Sequence, residues 1–267
     1  MNRLLGRRGI ARLTATAATT TAMLACGCGR AAAQPHGAPS GATPDAGHPG
    51  APRSTQSRML DAGAALLQTK APLNAMDLYL NGFHFYADDM GRPVEAHHYC
   101  THLTEDLHQC TIFDSNDAGA RLIGIEYIVS EKLFLQLPEE EKPLWHSHHH
   151  ETTSGQLVMP GIPEAVETLA MRRLASTYGK TWHTWQVDRG DTLPLGIPQL
   201  MMGFTGDGQL DPARVAARDR RLGVSSAASR AARRDIPVPT PAPGANAWQT
   251  GETPQLALAK VPLRNRR

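Results

Sequence analysis

The sequence predicts an α+β domain, with an antiparallel β-sheet core flanked by three or four helices. Three observations predict it. Short segments that alternate apolar and polar residues recur between residues 77 and 204, separated by turn residues, as in a run of antiparallel strands. Helical periodicity appears at residues 59–67 and 163–178, and a basic, Ala-rich stretch that suits a helix follows from Asp211. No run of eighteen apolar residues occurs, which leaves no helix to span a membrane.

Four segments divide the 267 residues. Residues 1–33 read as a signal peptide. Arg3, Arg7, Arg8 and Arg12 form its positive region, and a Thr- and Ala-rich stretch of low hydrophobicity follows. Arg7-Arg8 before Gly9-Ile10 resembles a twin-arginine export signal, and ordinary export with a chance arginine pair is the equal alternative. Two cleavage points compete. Met23-Leu24-Ala25-Cys26 resembles an imperfect lipobox that would make Cys26 a lipidated N-terminus. Ala31-Ala32-Ala33 is an A-x-A site before Gln34. The first is preferred, because Cys26 ends the apolar stretch. The protein is therefore expected to be exported, as a periplasmic or membrane-anchored lipoprotein. Residues 34–57 are rich in Pro, Gly and Ala and read as a flexible linker. Residues 58–222 form the folded domain, and residues 223–267 a basic, Pro-rich C-terminal extension.

Charge follows these divisions. Residues 1–33 carry five Arg and no acid, residues 34–210 carry 11 basic and 21 acidic side chains, and residues 211–267 carry 11 basic and 4 acidic. An acidic core without a basic groove excludes nucleic acid as the main partner. The basic tail can touch anionic lipid or fold back on the acidic core.

Elements are expected in this order. Met59, Leu60, Gly63, Leu66 and Leu67 give an amphipathic helix packed on the core. A strand ends at Tyr86, and residues 88–93 form a turn. Residues 95–103 and 107–114 make a hairpin around Thr104-Glu105-Asp106, which sets Cys100 opposite Cys110 and His102 opposite His108. Residues 121–129 form the strongest strand candidate, central and antiparallel. A short helix at 131–137 and a charged turn follow. Pro163 and Gly179 bound a helix with Val166, Ala170, Leu174 and Tyr178 as its buried stripe. Residues 180–187 and 198–204 complete the strands. Arg189-Gly190-Asp191 is a strand-end turn with an internal ion pair rather than an adhesion motif. Residues 211–221 are helical.

Imidazole is concentrated: ten of twelve histidines lie between His84 and His183. Trp145-His146-Ser147-His148-His149-His150-Glu151 is the densest stretch. On a strand, His146 and His148 point to one face and can share a metal ion, with His150 joining them if the strand runs on. His98, Cys100 and His102 share a face of the hairpin. The expected constellation is His98 or His102 with His146 and His148, and Glu151 or Glu95 as carboxylate ligand or base. It suits one divalent transition metal. The bland alternative is a set of histidines bonded to neighbouring backbone, with a surface run that binds metal adventitiously. Cys100 and Cys110 form a disulfide, ligate metal, or stay as buried thiols. No G-x-S-x-G elbow and no phosphate-cradling glycine loop is present.

A longer pattern runs through these residues. Phe83-His84-Phe85-Tyr86, Arg92-Pro93-Val94-Glu95-Ala96-His97-His98-Tyr99-Cys100, Leu144-Trp145-His146-Ser147-His148 and Thr184-Trp185-Gln186-Val187-Asp188-Arg189-Gly190-Asp191 resemble the oil-body-associated protein family. The resemblance covers roughly residues 72–219. It implies association with a lipid or membrane surface and names no reaction. This chain is identified as a bacterial, exported member, and its export signal and tether depart from the plant proteins. His149 and His150 also depart from the pattern. His97, His98, Cys100, His102, His146 and His148 lie on matching positions. The plant members work in a reducing compartment with similar cysteine spacing, which lowers the weight on an obligatory disulfide. The expectation is a non-enzymatic envelope protein tethered through Cys26, with a metal-dependent enzyme as the alternative.

Overall fold

The computed structural model describes residues 48–237 and 239–264. The expected signal peptide, Cys26 and the first part of the expected linker lie outside the described residues. The strands are β1 (Leu78–Tyr86), β2 (Asp89–Thr104), β3 (Leu107–Phe113), β4 (Leu122–Ser130), β5 (His146–Ser147), β6 (Thr177–His183) and β7 (Gln199–Gly203). The helices are α1 (Thr55–Leu67), α2 (Ala71–Asn74), α3 (Glu131–Phe134), α4 (His149–Ser154), α5 (Glu164–Leu174), α6 (Pro212–Leu222) and α7 (Ser226–Ala232). The fold is α+β with an antiparallel core, as expected. It carries seven α-helices among the described residues rather than three or four.

The sheet closes. Its order is β4-β3-β2-β1-β7-β6, and β6 pairs back on β4, so six antiparallel strands form a barrel. The short β5 adds to β6 beside β7. Two-residue turns after β1 and β2 and a longer loop at 114–121 make β1 to β4 a meander. Glu105-Asp106 joins β2 to β3, and Cys100 faces Cys110 while His102 faces His108, in the register expected. Cys100 and Cys110 are joined by a disulfide. Leu80 pairs with His98 and His98 with Ile112, and strand alternation puts Cys110 and Ile128 on the same buried face. On β4 the usual polarity is inverted: Glu126 is buried, whereas Ile125 and Tyr127 are exposed. The inward face of the barrel therefore carries a carboxylate.

Apolar side chains fill both ends of the barrel. Val94, Ala96, Ile112, Ile123 and Met201 pack at one end. Leu80, Ile128, Leu157, Met171 and Leu174 pack at the other, beneath α5. Outside the barrel, Phe83, Phe85, Leu200 and Phe204 pack with Val215 of α6 and with Trp248.

Several elements differ from expectation. The turn at 88–93 is shorter, because β2 already starts at Asp89. Helix α1 forms, capped by Ser54, but buries nothing: Leu66 is 84% exposed and Leu67 83%. The amphipathic pattern there was sufficient for a helix and said nothing of a partner. Helix α5 buries Glu167, Met171 and Leu174, while Val166 points outward. Tyr178 and Gly179 belong to β6, so the strand expected at 180–187 starts three residues earlier and ends at His183. The His-rich stretch is a strand for two residues only, and α4 begins at His149. The segment beyond residue 222 packs against the barrel domain: Ser229, Arg233 and Asn246 are buried.

Candidate functional site

Glu126 stands at the middle of the barrel, surrounded by imidazoles from four elements. Its Oε2 lies 2.9 Å from His98 Nε2 and 3.8 Å from His84 Nε2. Its Oε1 lies 3.2 Å from His148 Nε2 and 3.4 Å from His146 Nε2. His183 Nε2 is 3.4 Å from His84 Nδ1, on the side of His84 away from the carboxylate. All of these side chains are buried.

Each member is held by local structure. His84, His98 and Glu126 sit on inward positions of β1, β2 and β4, fixed by the meander register. His146 enters on β5, opposite Gly179 of β6. His148 is placed by the end of β5. Its backbone N–H donates to Thr177 O, and its Nδ1 is 2.8 Å from Thr177 Oγ1. Glu151 follows within the first turn of α4. Asn246 from the C-terminal segment clamps Ser147, accepting its N–H and donating to its hydroxyl, each at 2.9 Å.

Two glycines open the space that these groups occupy. A Cβ at Gly179 would strike Glu126 Oε1 and would lie 2.8 Å from His148 Nε2 and 2.9 Å from His146 Cε1. A Cβ at Gly203 would lie 2.9 Å from His146 Cδ2 and 3.1 Å from the Glu151 carboxylate.

Burial and charge set the protonation states. Burial opposes ionisation of Glu126, but hydrogen bonds from His148 and His98 and the surrounding imidazoles outweigh it and hold the carboxyl well below its ordinary range. Burial drives His84 well below the usual histidine value, against the pull of Glu126. It lowers His146 and His183 to about 3 each. Glu151 is pushed well above the carboxylate range by burial and then by the charge of Glu126. The centre thus sets an ionised carboxylate beside the neutral imidazoles of His84, His146 and His183, and burial favours the protonated form of Glu151. Two sets of donors come close enough to hold one ion: His84, Glu126 and His146, and His146, His148 and Glu151.

The residues expected from the sequence divide cleanly. His98, His146, His148 and Glu151 meet at the centre. His102 does not, because it stacks on His108 at 4.1 Å between ring centroids near the barrel mouth. Glu95 does not either. It faces outward from β2 and binds Asn81, His97 and Arg221. His150 is turned away by α4 and reaches Gln156 and Asp207. Sequence reasoning missed Glu126, His84 and His183. The signal for Glu126 was present, since it is the single charged residue inside the apolar strand 122–129.

A groove of about 820 Å³ lies over one end of the barrel, between α5 and the β2–β3 hairpin. Leu78, Leu80, Ile128, Met159, Leu169 and Leu174 line it, and Arg172 and Arg173 stand on its rim. Leu80, Ile128 and Leu174 also bound a small cavity against the histidine centre, so they form the partition between groove and site.

Fold and site together define a closed antiparallel barrel with a buried histidine–carboxylate centre. The chain belongs to the family described as "Protein of unknown function (DUF1264)", whose model matches residues 70–237. It is 54% identical to oil body-associated protein 1A of Zea mays over 66% of this chain and 74% of the maize protein. It is 50% identical to oil body-associated protein 1B of Arabidopsis thaliana, over 69% of this chain and 77% of that protein. Oil body-associated protein 2A of Zea mays is 46% identical over 72% and 77%. No solved structure matches.

Proposed function

We propose that the protein is a lipid-surface binder whose contact region is the groove under α5. The observation that carries this reading is the groove's composition. Its walls are largely aliphatic, Leu169 remains 66% exposed and Val166 54%, Arg172 stands at the rim, and Arg173 is paired there with Glu105 at 3.1 Å. Exposed aliphatic side chains beside arginines fit an acyl chain below an anionic or zwitterionic headgroup. The names of the plant relatives agree with a lipid-body surface. Helix α1, with Met59, Leu60, Leu66 and Leu67 all exposed, offers a second apolar stripe. Export and lipidation at Cys26 belong to the same proposal, because they would fix which surface the groove meets. Intact mass of the mature protein tests that part.

The test is flotation of the purified protein with phosphatidylcholine vesicles, with and without phosphatidylglycerol, and with triacylglycerol emulsion droplets. A Val166→Asp/Leu169→Asp variant serves as comparison. Both side chains are exposed, so the variant is expected to fold. Wild-type flotation reduced several-fold in the variant supports the groove. Wild-type protein that stays in the soluble fraction with all three surfaces removes the proposal.

A further inference from the structure

Three facts about the barrel interior need a common cause. First, donor spacing: four imidazole Nε2 atoms lie 2.9 to 3.8 Å from the oxygens of one carboxylate. Ligands bound at about 2.0–2.1 Å in tetrahedral geometry stand roughly 3.3 Å from one another, so these gaps are those of neighbouring ligands on an ion. Second, unmet valence: His146 Nε2, 3.4 Å from Glu126 Oε1, is fully buried without a hydrogen-bond partner. A buried nitrogen left without a partner is unfavourable in a neutral core. Third, room: a cavity of about 10 Å³, enough for about one water, adjoins His84, Glu126, His148 and Glu151.

We propose that this centre is a divalent transition-metal site in which His84 Nε2, His146 Nε2 and Glu126 are the protein ligands and the remaining position opens into the small cavity. These three side chains bring their donor atoms within 4.8 Å of one another. His183, 3.4 Å from His84 Nδ1, fixes the tautomer and ring angle of His84. His98 and His148 bracket the carboxylate and orient it. Two imidazoles and one carboxylate suit zinc, iron(II), cobalt or manganese, and do not suit calcium or magnesium, which prefer all-oxygen shells. Three protein ligands with a vacant position are the pattern of sites that bind an exogenous oxygen donor, in contrast to closed four-ligand structural sites. The partition of Leu80, Ile128 and Leu174 places that position directly below the groove.

The test uses the full-length protein, stripped with chelator, loaded with zinc or cobalt and desalted. Metal is counted by elemental mass spectrometry. One equivalent per chain is expected in the wild type, and at least a hundredfold weaker binding in Glu126→Gln and in His84→Ala. His150→Ala and His102→Ala, which lie outside the centre, are expected to keep wild-type content. X-ray absorption of the zinc-loaded wild type needs no variant and should show two or more imidazoles in the first shell. Less than one-tenth of an equivalent in the wild type overturns the proposal. So does a first shell with fewer than two imidazoles, or a loss of metal in His150→Ala that Glu126→Gln does not share, which would place the metal at His150 and outside the centre. If Glu126→Gln fails to fold, the absorption spectrum of the wild type decides alone.

Discussion

Arg218 offers the sharpest test of how the C-terminal segment supports the barrel. It is the buried residue of α6, with no exposed surface. Its guanidinium donates to Asn81 Oδ1 at 2.6 Å, Gln156 O at 2.9 Å, Gly155 O at 3.3 Å, Ser226 Oγ at 2.9 Å and Asp219 Oδ1 at 2.8 Å. These partners belong to β1, the loop after α4, α7 and α6 itself. Arg218→Met keeps most of the volume and removes every donor. Each bond from a charged group contributes roughly 1.5–3 kcal/mol, but such bonds are not additive and Asp219 can rehydrate. Breaking a buried ionic cluster by removing one partner costs about 3–5 kcal/mol, and that is the expected loss. It is a large part of the roughly 5–15 kcal/mol available to a domain. Urea unfolding followed by tryptophan fluorescence measures it, with Arg234→Met as an exposed control expected to change little. Hydrogen exchange should also quicken at Gly155 to Leu157. A loss under about 1 kcal/mol, with exchange unchanged, would refute the reasoning and leave Arg218 a solvated cation.

Three further outcomes are expected. Cys100 and Cys110 close a loop with a sequence separation of 10, for which the chain-entropy relation gives about 2.7 kcal/mol; unfolding curves with and without reductant should differ by that order. Gly179→Ala would press a methyl group onto Glu126 and His148, so a loss of about 1–3 kcal/mol is expected from overpacking, read as a lowered denaturation midpoint, and an unchanged midpoint would mean that the interior is looser than drawn. Glu95 is opposed by burial but held at about 2 by hydrogen bonds from His97, Arg221 and Asn81. Its folded value is depressed, so its contribution is fully present above the unfolded value of 4.5 and disappears as pH falls from there to about 2. The stability gap between wild type and Glu95→Gln should therefore shrink across that window, and a constant gap would show that the ionised carboxylate is not what stabilises.

Local signals carried far in this sequence. The hairpin register followed from a short polar turn between alternating segments, and it correctly set Cys100 against Cys110 and His102 against His108. Strand β4 was equally plain from its run of β-branched and aliphatic residues, and helix α6 from its Ala-rich composition. What depended on ring closure was not legible. Nothing in the segment around Glu126 says that β4 meets β6, and only that pairing brings Gly179, and with it His146, beside the carboxylate. Gly179 looked like a helix end because glycine usually marks one, whereas here it clears space for the centre. The basic tail was read as binding lipid or folding back, and Arg218 and Arg233 show that it folds back, with both guanidiniums fully enclosed. Arg233 donates to Thr152 O and Leu157 O and pairs with Glu167, so it holds α4 as Arg218 holds the loop beyond it.

The closed ring also has a temporal side. The meander from β1 to β4 needs only neighbouring turns, so it can assemble quickly. The β1–β7 seam joins His84 to Gly203, well over a hundred positions apart, and must overcome most of the loop entropy before its pairing repays it. Refolding should therefore show an early phase that protects the meander and a slower one that seals the ring, separable by pulsed hydrogen exchange. His84, His98 and Glu126 would be in place after the first, whereas His146, His148 and His183 arrive only with the second. An intermediate halted between them would present an open trough with an unshielded carboxylate, and any ion destined for the interior would have its easiest entry then, before the last seam shuts.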